Sequence, residues 1–320
     1  MSTTDPAADS VLDWLLDGEP SIRWQVLRDL EDASADDVAA ERAKVEHGGW
    51  GARLLALAGP DGLWDGGACF PALYRGGEPG QPWTATMHSL QTLQLLGLDP
   101  ASESARQAIA LVTENGRWEH DGQCYFDGEV EPCINGRTID TGAYFGVDVT
   151  AVVERVLGER LDDGGWNCEA ENGSERSSFD TTINVLDGLL GFERATGGSS
   201  AVRTARRSGE EYLLERGLLR RKSTGEVVDP AYLESAFPHY WHYDVLRVLD
   251  YFRQSGRGRD DRMGEAVEVM RSKQQPDGRW LLDRIHPGRV HFGLEDGVGA
   301  PSRWNTLRAL RVLQWWDGPF

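Results

Sequence analysis

Features that would assign this 320-residue chain to several other protein classes are absent from its sequence. It contains no run of about 18 apolar residues, the length that a membrane-spanning helix needs, and its N-terminus lacks the basic and apolar segments of a secretory signal. Its four cysteines include no Cys-x-x-Cys pair, which argues against a disulfide framework. We therefore expect a cytoplasmic protein with reduced thiols and no integral membrane segment.

Positive charge is also scarce. The chain has 33 lysines and arginines against 52 aspartates and glutamates, which gives a formal net charge of −19. The electric field of this negative charge repels phosphate backbones and anionic membrane surfaces, so we expect no nucleic-acid partner. Hydrophobic residues make up 40 % of the chain and alternate with charged ones throughout, which indicates a globular protein. Residues 1–10 are predicted to form a flexible polar leader, and residues 11–320 a single folded domain.

A glycine-and-tryptophan turn recurs along the chain, which indicates an internal repeat. The turns end at Trp64, Trp118, Trp166 and Trp280, and each lies between two segments with helical periodicity. Glycine allows the chain to reverse, and the indole is expected to pack over the end of the preceding helix. These four tryptophans are therefore predicted to serve packing rather than chemistry.

The helical segments fall into two alternating sets that predict the fold. Amphipathic segments with a polar face predict six outer helices, over 11–17, 39–58, 104–113, 148–161, 200–216 and 261–275. More apolar segments predict six inner helices, over 21–30, 83–98, 134–146, 177–193, 239–253 and 302–316. Because such inner helices must bury one another, we expect an all-α (α/α)6 toroid. The N-terminal ends of its inner helices would then meet at one mouth of a central pocket, where unpaired N–H groups favour negative charge.

The last turn carries a family resemblance. Residues 273–280, Lys-Gln-Gln-Pro-Asp-Gly-Arg-Trp, resemble the glutamine-tryptophan repeat of squalene and oxidosqualene cyclases, whose fold also serves the β subunits of protein prenyltransferases. Residues 130–136, 166–172 and 301–306 are similar to segments of bacterial proteins labelled cyclase-like. The resemblance covers about residues 39–316 and implies the toroid and a terpenoid cyclase-like or prenyltransferase-like enzyme.

The chain departs from the cyclase pattern at its fourth inner helix. Squalene-type cyclases protonate their substrate with the middle aspartate of an Asp-x-Asp-Asp-Thr-Ala motif. The matching residues here are Ser177-Ser178-Phe179-Asp180-Thr181-Thr182, so that only the last aspartate is kept and Phe179 occupies the position of the proton donor. The chain also has the length of one toroid, whereas those cyclases use two domains.

A metal site is implied by two related families. Protein prenyltransferases bind zinc through an aspartate, a cysteine and a histidine, and toroidal lanthionine cyclases bind it through two cysteines and a histidine. This chain offers Cys133, Cys168 and His242 from successive repeats, with Glu131 two residues before Cys133. A soft closed-shell ion suits such a set, so one alternative is a zinc enzyme that activates a thiol or a water.

Two residues are candidates for acid–base chemistry. Asp180 follows two capping serines at the start of an inner helix, where a carboxylate either completes the cap or faces the pocket as an acid or base. His242, predicted on the fifth inner helix, is either a proton carrier or a packed histidine. We expect this pair to catalyse cyclisation or isomerisation of a small hydrophobic, isoprenoid-like substrate.

Further side chains of the predicted inner helices, most of them near a helix start, are expected to line the substrate pocket. They are the aromatic Trp83, Tyr144, Phe179, Tyr240, Trp241 and Trp304 and the polar His88, Asn135, Arg137 and Arg303. The two arginines are unfavourable beside a helix N-terminus, so each is expected to face an acid, either a protein carboxylate such as Asp140 or a substrate carboxylate or diphosphate. A third alternative is a non-catalytic toroid that binds a ligand or peptide.

Overall fold

The computed structural model describes residues 6–77 and 79–318. Every regular element in these residues is helical, and pairing between extended segments is limited to four isolated bridges. The α-helices are α1 (Pro6–Leu16), α2 (Pro20–Asp29), α3 (Ala35–His47), α4 (Gly49–Leu55), α5 (Thr86–Leu96), α6 (Glu103–Asn115), α7 (Pro132–Tyr144), α8 (Thr150–Gly158), α9 (Phe179–Thr196), α10 (Ser200–Leu214), α11 (Val245–Ser255), α12 (Gly264–Arg271) and α13 (Arg303–Asp317). The prediction of an all-α protein is confirmed for these residues.

The first helix overlaps the predicted leader, and the lengths of the helices test for a membrane span. Residues 1–5 of the predicted leader lie outside the described residues, and α1 begins at Pro6, within the segment 1–10. Across the part of the chain that the structure describes, none of the helices combines the length and the apolar character that crossing a bilayer requires.

Two helices differ from the prediction for local reasons. The outer segment 39–58 is broken between α3 and α4 at Gly48-Gly49, where Gly49 has a φ of +62° that glycine adopts without strain. The fifth inner helix begins at Val245 rather than at 239, because the side chain of Asp244 accepts the backbone N–H of Arg247 and caps the helix there. The segment from His239 to Asp244 is therefore a loop, in which Tyr240 has a φ of +48°.

The tryptophan turns have a shared hydrogen-bond pattern. The indole N–H of Trp64, Trp166 and Trp280 donates to a carbonyl ten residues earlier, at Leu54, Val156 and Met270, each in the outer helix before the turn. Their backbone N–H groups donate to threonine hydroxyls in the first turns of the following inner helices, at Thr86, Thr182 and Thr306. All three indoles are at most 2 % exposed, so the predicted packing role is confirmed.

Trp118 differs from the other three tryptophans in its hydrogen-bond acceptor. Its indole N–H donates to Tyr125 O, in a short 3-10 turn that leads to α7. The two rings stack with their centroids 4.9 Å apart, and Trp118 is 2 % exposed. This tryptophan therefore also serves packing.

The predicted inner helices contact one another in chain order. Contacts join α5 to α7, α7 to α9, α9 to α11, α11 to α13 and α13 to α2. The closest pair is α7 and α9, where a Cβ on Gly188 would lie 2.2 Å from Gly136 O and a Cβ on Gly136 would lie 2.4 Å from Asn184 O. Glycine at these positions allows the two backbones to approach, and this places the first turns of α7 and α9 beside each other.

Candidate functional site

Two thiols and a carboxylate converge at the start of α7. Glu131 precedes the helix as its N-cap residue, Cys133 is its second residue, and Cys168 begins a 3-10 turn just after Trp166. One ligand atom from each of the three residues lies within 4.8 Å of the other two. The structure thus brings together the two cysteines that the sequence singled out, with Glu131 as the third member of what we call the thiol cluster.

Hydrogen bonds to the start of α9 hold the Cys168 side of the thiol cluster. The backbone N–H of Cys168 donates to Thr181 Oγ1 at 3.2 Å, and the Thr181 hydroxyl donates to Cys168 Sγ at 3.4 Å. Ser178 caps α9 by accepting the backbone N–H of Thr181, as expected for one of the two serines. The position of Cys168 is therefore fixed by the same helix turn that carries Asp180.

The electrostatics of the thiol cluster favour a protonated Cys133 thiol in the absence of a cation. A hydrogen bond to Cys168, burial and the negative charge of Glu131 raise the pKa of the Cys133 thiol well above its usual value. The Cys133 thiol donates to Glu131 Oε2 at 3.4 Å. The thiol cluster would favour a bound cation, because the cation would replace the Cys133 proton and its positive charge would balance the negative charge of Glu131.

His242 is not part of the thiol cluster, which differs from the predicted ligand set. Because α11 begins only at Val245, His242 lies in the preceding loop and its ring is stacked between those of Trp241 and His286, with centroids 3.7 and 3.6 Å away. Burial, followed by repulsion from His286, lowers the pKa of His242 to about 3. The ring is therefore neutral near pH 7, and its buried Nδ1 has no hydrogen-bond partner.

Asp180 is held by two donors on neighbouring segments. Its carboxylate accepts the hydroxyl of Tyr232 at 2.8 Å and the backbone N–H of Tyr243 at 2.7 Å. Burial and the charge of Asp180 raise the pKa of the Tyr232 hydroxyl, so this donor keeps its proton. Asp180 and His242 both line a cavity of about 160 Å³, so the structure brings the predicted acid–base pair to one pocket.

The aromatic residues Trp83 and Tyr240 form a wall in the middle of the molecule. Their rings stack with centroids 4.1 Å apart, and both line a cavity of about 130 Å³. His88 packs edge-on against Trp83 at 5.0 Å, and burial holds its pKa well below the usual range. Trp83 lies in the loop before α5, which begins only at Thr86.

Arg137 is buried without an ion pair. It is 4 % exposed, has no carboxylate within 4.0 Å among the described residues, and its Nε and Nη1 atoms have no hydrogen-bond partner. The expected salt bridge to Asp140 is therefore not formed. Burial and the nearby Arg247 lower the pKa of Arg137 to about 10, and it lines a narrow central cavity of about 40 Å³ with His88 and Tyr240.

Two predicted pocket residues have other surroundings. Phe179 packs against Tyr212, Tyr232 and Tyr243 and lies in the hydrophobic core. Arg303 turns away from the centre, because its guanidinium donates to Trp14 O and stacks on the Trp14 ring of the outer helix α1. These positions arise because a first-turn residue points either inward or toward the neighbouring outer helix, which the sequence pattern alone does not decide.

The remaining predicted residues have mixed roles. Asn135 bonds both the N–H and the carbonyl of Glu129, which shapes the loop before α7. Trp241 is 36 % exposed at the rim of the Asp180 cavity. Tyr144 and Trp304 line a larger cavity further along the inner helices.

His286 was missed by the sequence reasoning. It stacks on His242, is 5 % exposed, and neither of its ring nitrogens has a hydrogen-bond partner. It lies in the long loop after the Trp280 turn, in a segment without helical periodicity. Only its proximity to the Gly-x-Trp turn distinguished this segment in the sequence.

No protein-family model matches the chain, and a search of curated proteins finds no match. The functional interpretation therefore rests on the geometry of the chain.

Proposed function

We propose that the chain forms a single (α/α)6 toroid over residues 11–320, of the kind found in terpenoid cyclases and protein prenyltransferases. Support comes from the order of contacts, in which each inner helix meets the next and α13 meets α2. The remaining junction, between α2 and α5, is bridged by hydrogen bonds from Trp24 Nε1 to Leu96 O and from Gln25 Nε2 to Leu95 O. The tryptophan turns repeat the link between outer and inner helix.

We further propose that the protein is a zinc enzyme that activates a thiol or a water at the thiol cluster. The observation that carries this proposal is the convergence of ligand atoms from Glu131, Cys133 and Cys168 within 4.8 Å of one another. Two thiolates and a carboxylate suit zinc, and three protein ligands are typical of catalytic rather than structural zinc sites, which keep one position open. In this proposal Glu131 is the zinc ligand that corresponds to the prenyltransferase aspartate, and Cys168 is the ligand that replaces the prenyltransferase histidine.

The chain contributes orientation and electrostatics to this chemistry. Zinc bound at the cluster would lower the pKa of a bound thiol or water and thereby supply a nucleophile. Thr181 orients Cys168 through the hydrogen bond to its sulfur, and Cys133 is held in the first turn of α7. Asp180 lies one residue before Thr181 in α9, and its carboxylate accepts the hydroxyl of Tyr232.

The experiment that tests this proposal is metal analysis of the purified protein. We expect close to one zinc per chain, and we expect Cys168→Ser and Cys133→Ser to lose it. Cys124→Ser is the matched control, since Cys124 is a partly buried free thiol outside the thiol cluster. A zinc content that is unchanged in both cluster variants would contradict the proposal.

A second candidate is acid–base cyclisation or isomerisation of a small hydrophobic substrate by Asp180 and His242. The shared cavity of about 160 Å³ favours it, as does the tyrosine hydroxyl that donates to Asp180. His242, with its pKa lowered to about 3, would act as a neutral hydrogen-bond partner, which leaves proton transfer to Asp180. Asp180→Asn should then abolish turnover while zinc content stays unchanged, and this outcome distinguishes the two candidates.

A further inference from the structure

A cavity of about 370 Å³, which we call the C-terminal cavity, reaches the last turns of α2, α5, α7, α9 and α11. Arg247, Trp304 and Arg308 line it from nearer the starts of α11 and α13. Tyr144, the last residue of α7, lines it, whereas Cys133 lies in the first turn of the same helix. At a rise of about 1.5 Å per residue, the 11 positions between them correspond to roughly 16 Å. This cavity is therefore separate from the thiol cluster and has a part in neither candidate reaction.

Arginines dominate the lining of this C-terminal cavity. Seven of them line it: Arg28, Arg42, Arg194, Arg247, Arg253, Arg308 and Arg311. The carboxylates that line it are Asp140, Asp187 and Asp250. In a chain of net charge −19, this is a local reversal of sign. Uncompensated charge inside a protein is costly, so such a cavity favours a bound anion.

Four of the seven arginines have carboxylate partners. Arg28 and Arg311 share Asp29, which lies next to the cavity, while Arg247 pairs with Asp187 and Arg253 pairs with Asp250. These pairs use up the carboxylates except Asp140. The other three arginines form no ion pair, although the charge of Arg194 interacts with Asp140 and that of Arg308 interacts with Asp244.

Arg42, Arg194 and Arg308 have no carboxylate within 4.0 Å among the described residues, and their guanidinium groups donate to uncharged oxygen atoms. Arg308 is 5 % exposed, and its guanidinium donates to Ala236 O alone at 3.3 Å.

Unsatisfied donors give a second, independent indication of a ligand. The Nε atoms of Arg247 and Arg311 have no hydrogen-bond partner, although these residues are only 5 % and 6 % exposed. Asp140, the remaining carboxylate, is buried, and burial together with the charge of Asp187 raises its pKa to about 7, so it cancels only part of the positive charge. Buried guanidinium groups with free N–H donors are suited to phosphate or carboxylate oxygens.

We propose that this cavity is a binding site for a small organic anion that carries several phosphate or carboxylate groups. Its volume is in the range of small-molecule sites, which is about 300–1,000 Å³. Trp24, Tyr251 and the stacked pair Phe237 and Trp304 add aromatic faces to the lining. The arginines would bind the anionic groups, and the aromatic faces would pack against the carbon skeleton.

Calorimetric titration with inorganic pyrophosphate and, separately, with citrate tests this site. We expect saturable binding of at least one probe, with one site per chain. Binding of pyrophosphate alone identifies a phosphate ligand, and binding of citrate alone identifies a polycarboxylate. Binding of neither probe would overturn the proposal.

Variants locate the binding. Arg308→Gln and Arg194→Gln should each weaken it by about 10- to 100-fold, the loss expected for one hydrogen-bonded charge. Arg220→Gln is the matched control, since Arg220 is an exposed arginine paired with Glu265; it should bind as the wild type does. Equal weakening by Arg220→Gln would show nonspecific attraction and overturn the assignment.

Arg194 is exposed at the cavity rim, so its variant remains informative if Arg308→Gln does not fold. Zinc content should be unchanged in both cavity variants, which separates this site from the thiol cluster.

Discussion

The hydroxyl of Thr181 donates a hydrogen bond to the sulfur of Cys168 across 3.4 Å. The same oxygen accepts the backbone N–H of Cys168 and the hydroxyl of Ser178, so it is held from three directions. Thr181 therefore links the start of α9 to the thiol cluster. A fixed hydrogen bond of this kind is what orients a metal ligand from outside the coordination sphere.

Thr181→Val should weaken zinc binding and leave the fold intact. Valine keeps the shape of the side chain but removes the donor to the sulfur. Loss of such an outer hydrogen bond typically lowers metal affinity by about 10- to 100-fold. Competition with a chromophoric chelator measures the affinity. Thr113→Val is the control, because Thr113 is exposed on α6 and its hydroxyl bonds only the carbonyl of Ile109; an equal loss in both variants would contradict the assignment.

Thr182→Val should destabilise the protein by about 1–3 kcal/mol, the usual cost of a buried donor left without a partner. Thr182 is fully buried and accepts the backbone N–H of Trp166. Thr86→Val and Thr306→Val should lower the free energy of unfolding by similar amounts, because they leave the backbone N–H groups of Trp64 and Trp280 without an acceptor. Urea unfolding measures these changes.

A buried threonine without this role provides the comparison for those three variants. The Thr138 hydroxyl donates to Ile134 O inside α7, and valine there leaves no N–H unpaired. Thr138→Val should therefore lower the free energy of unfolding clearly less than the Thr86, Thr182 and Thr306 variants do. If it costs as much as the others, the repeated tryptophan–threonine contact has no special part in joining the helix pairs.

Gly188→Ala should destabilise the packing of α7 on α9 by about 1–3 kcal/mol, as overpacking of a core contact does. The added Cβ would lie 2.2 Å from Gly136 O, so the backbones would have to separate. Gly158→Ala is the control, since a Cβ at the end of α8 would meet nothing within 4 Å. That variant should be neutral or slightly more stable in the same unfolding experiment. Equal effects would argue against a close backbone contact.

Asp140→Asn should change how stability depends on pH. Burial, then the charge of Asp187, raises the pKa of Asp140 from 3.8 to about 7. Between these values the folded protein keeps a proton that the unfolded chain has lost, so this residue makes stability fall as pH rises from about 4 to about 7. The variant has no such proton. It should therefore be more stable than wild type at pH 8, with the difference shrinking toward pH 4. A constant difference in urea midpoint across this range would contradict the assignment.

The repeat made the all-helical class and the packing of the tryptophan turns predictable from the sequence. The turns ending at Trp64, Trp166 and Trp280 mark the ends of outer helices, because glycine permits the reversal and a large indole needs burial. Helical periodicity then gave the elements between the turns. It failed between His239 and Asp244, where aromatic and polar residues in succession resemble a helix face but the cap is set by Asp244.

The candidate sites were predictable only in part. Cys133 and Cys168 were recognisable by residue type and position before inner helices, and the structure brings them together. His286 and Tyr232 were not recognisable, because they lie in loops that no periodicity describes. The arginine-lined cavity escaped notice for another reason: Arg194, Arg253 and Arg311 lie on different helices, and only the packing of those helices places them around one space.

The most direct measurement for the proposed zinc enzyme is the absorption spectrum of the protein reconstituted with cobalt(II) in place of zinc. The account predicts sulfur-to-cobalt charge-transfer bands in the near ultraviolet and visible bands of tetrahedral intensity. Both should weaken in Cys133→Ser and in Cys168→Ser and should persist in Cys124→Ser. A spectrum without thiolate bands, or one that Cys168→Ser leaves unaltered, would contradict a metal centre built from Glu131, Cys133 and Cys168.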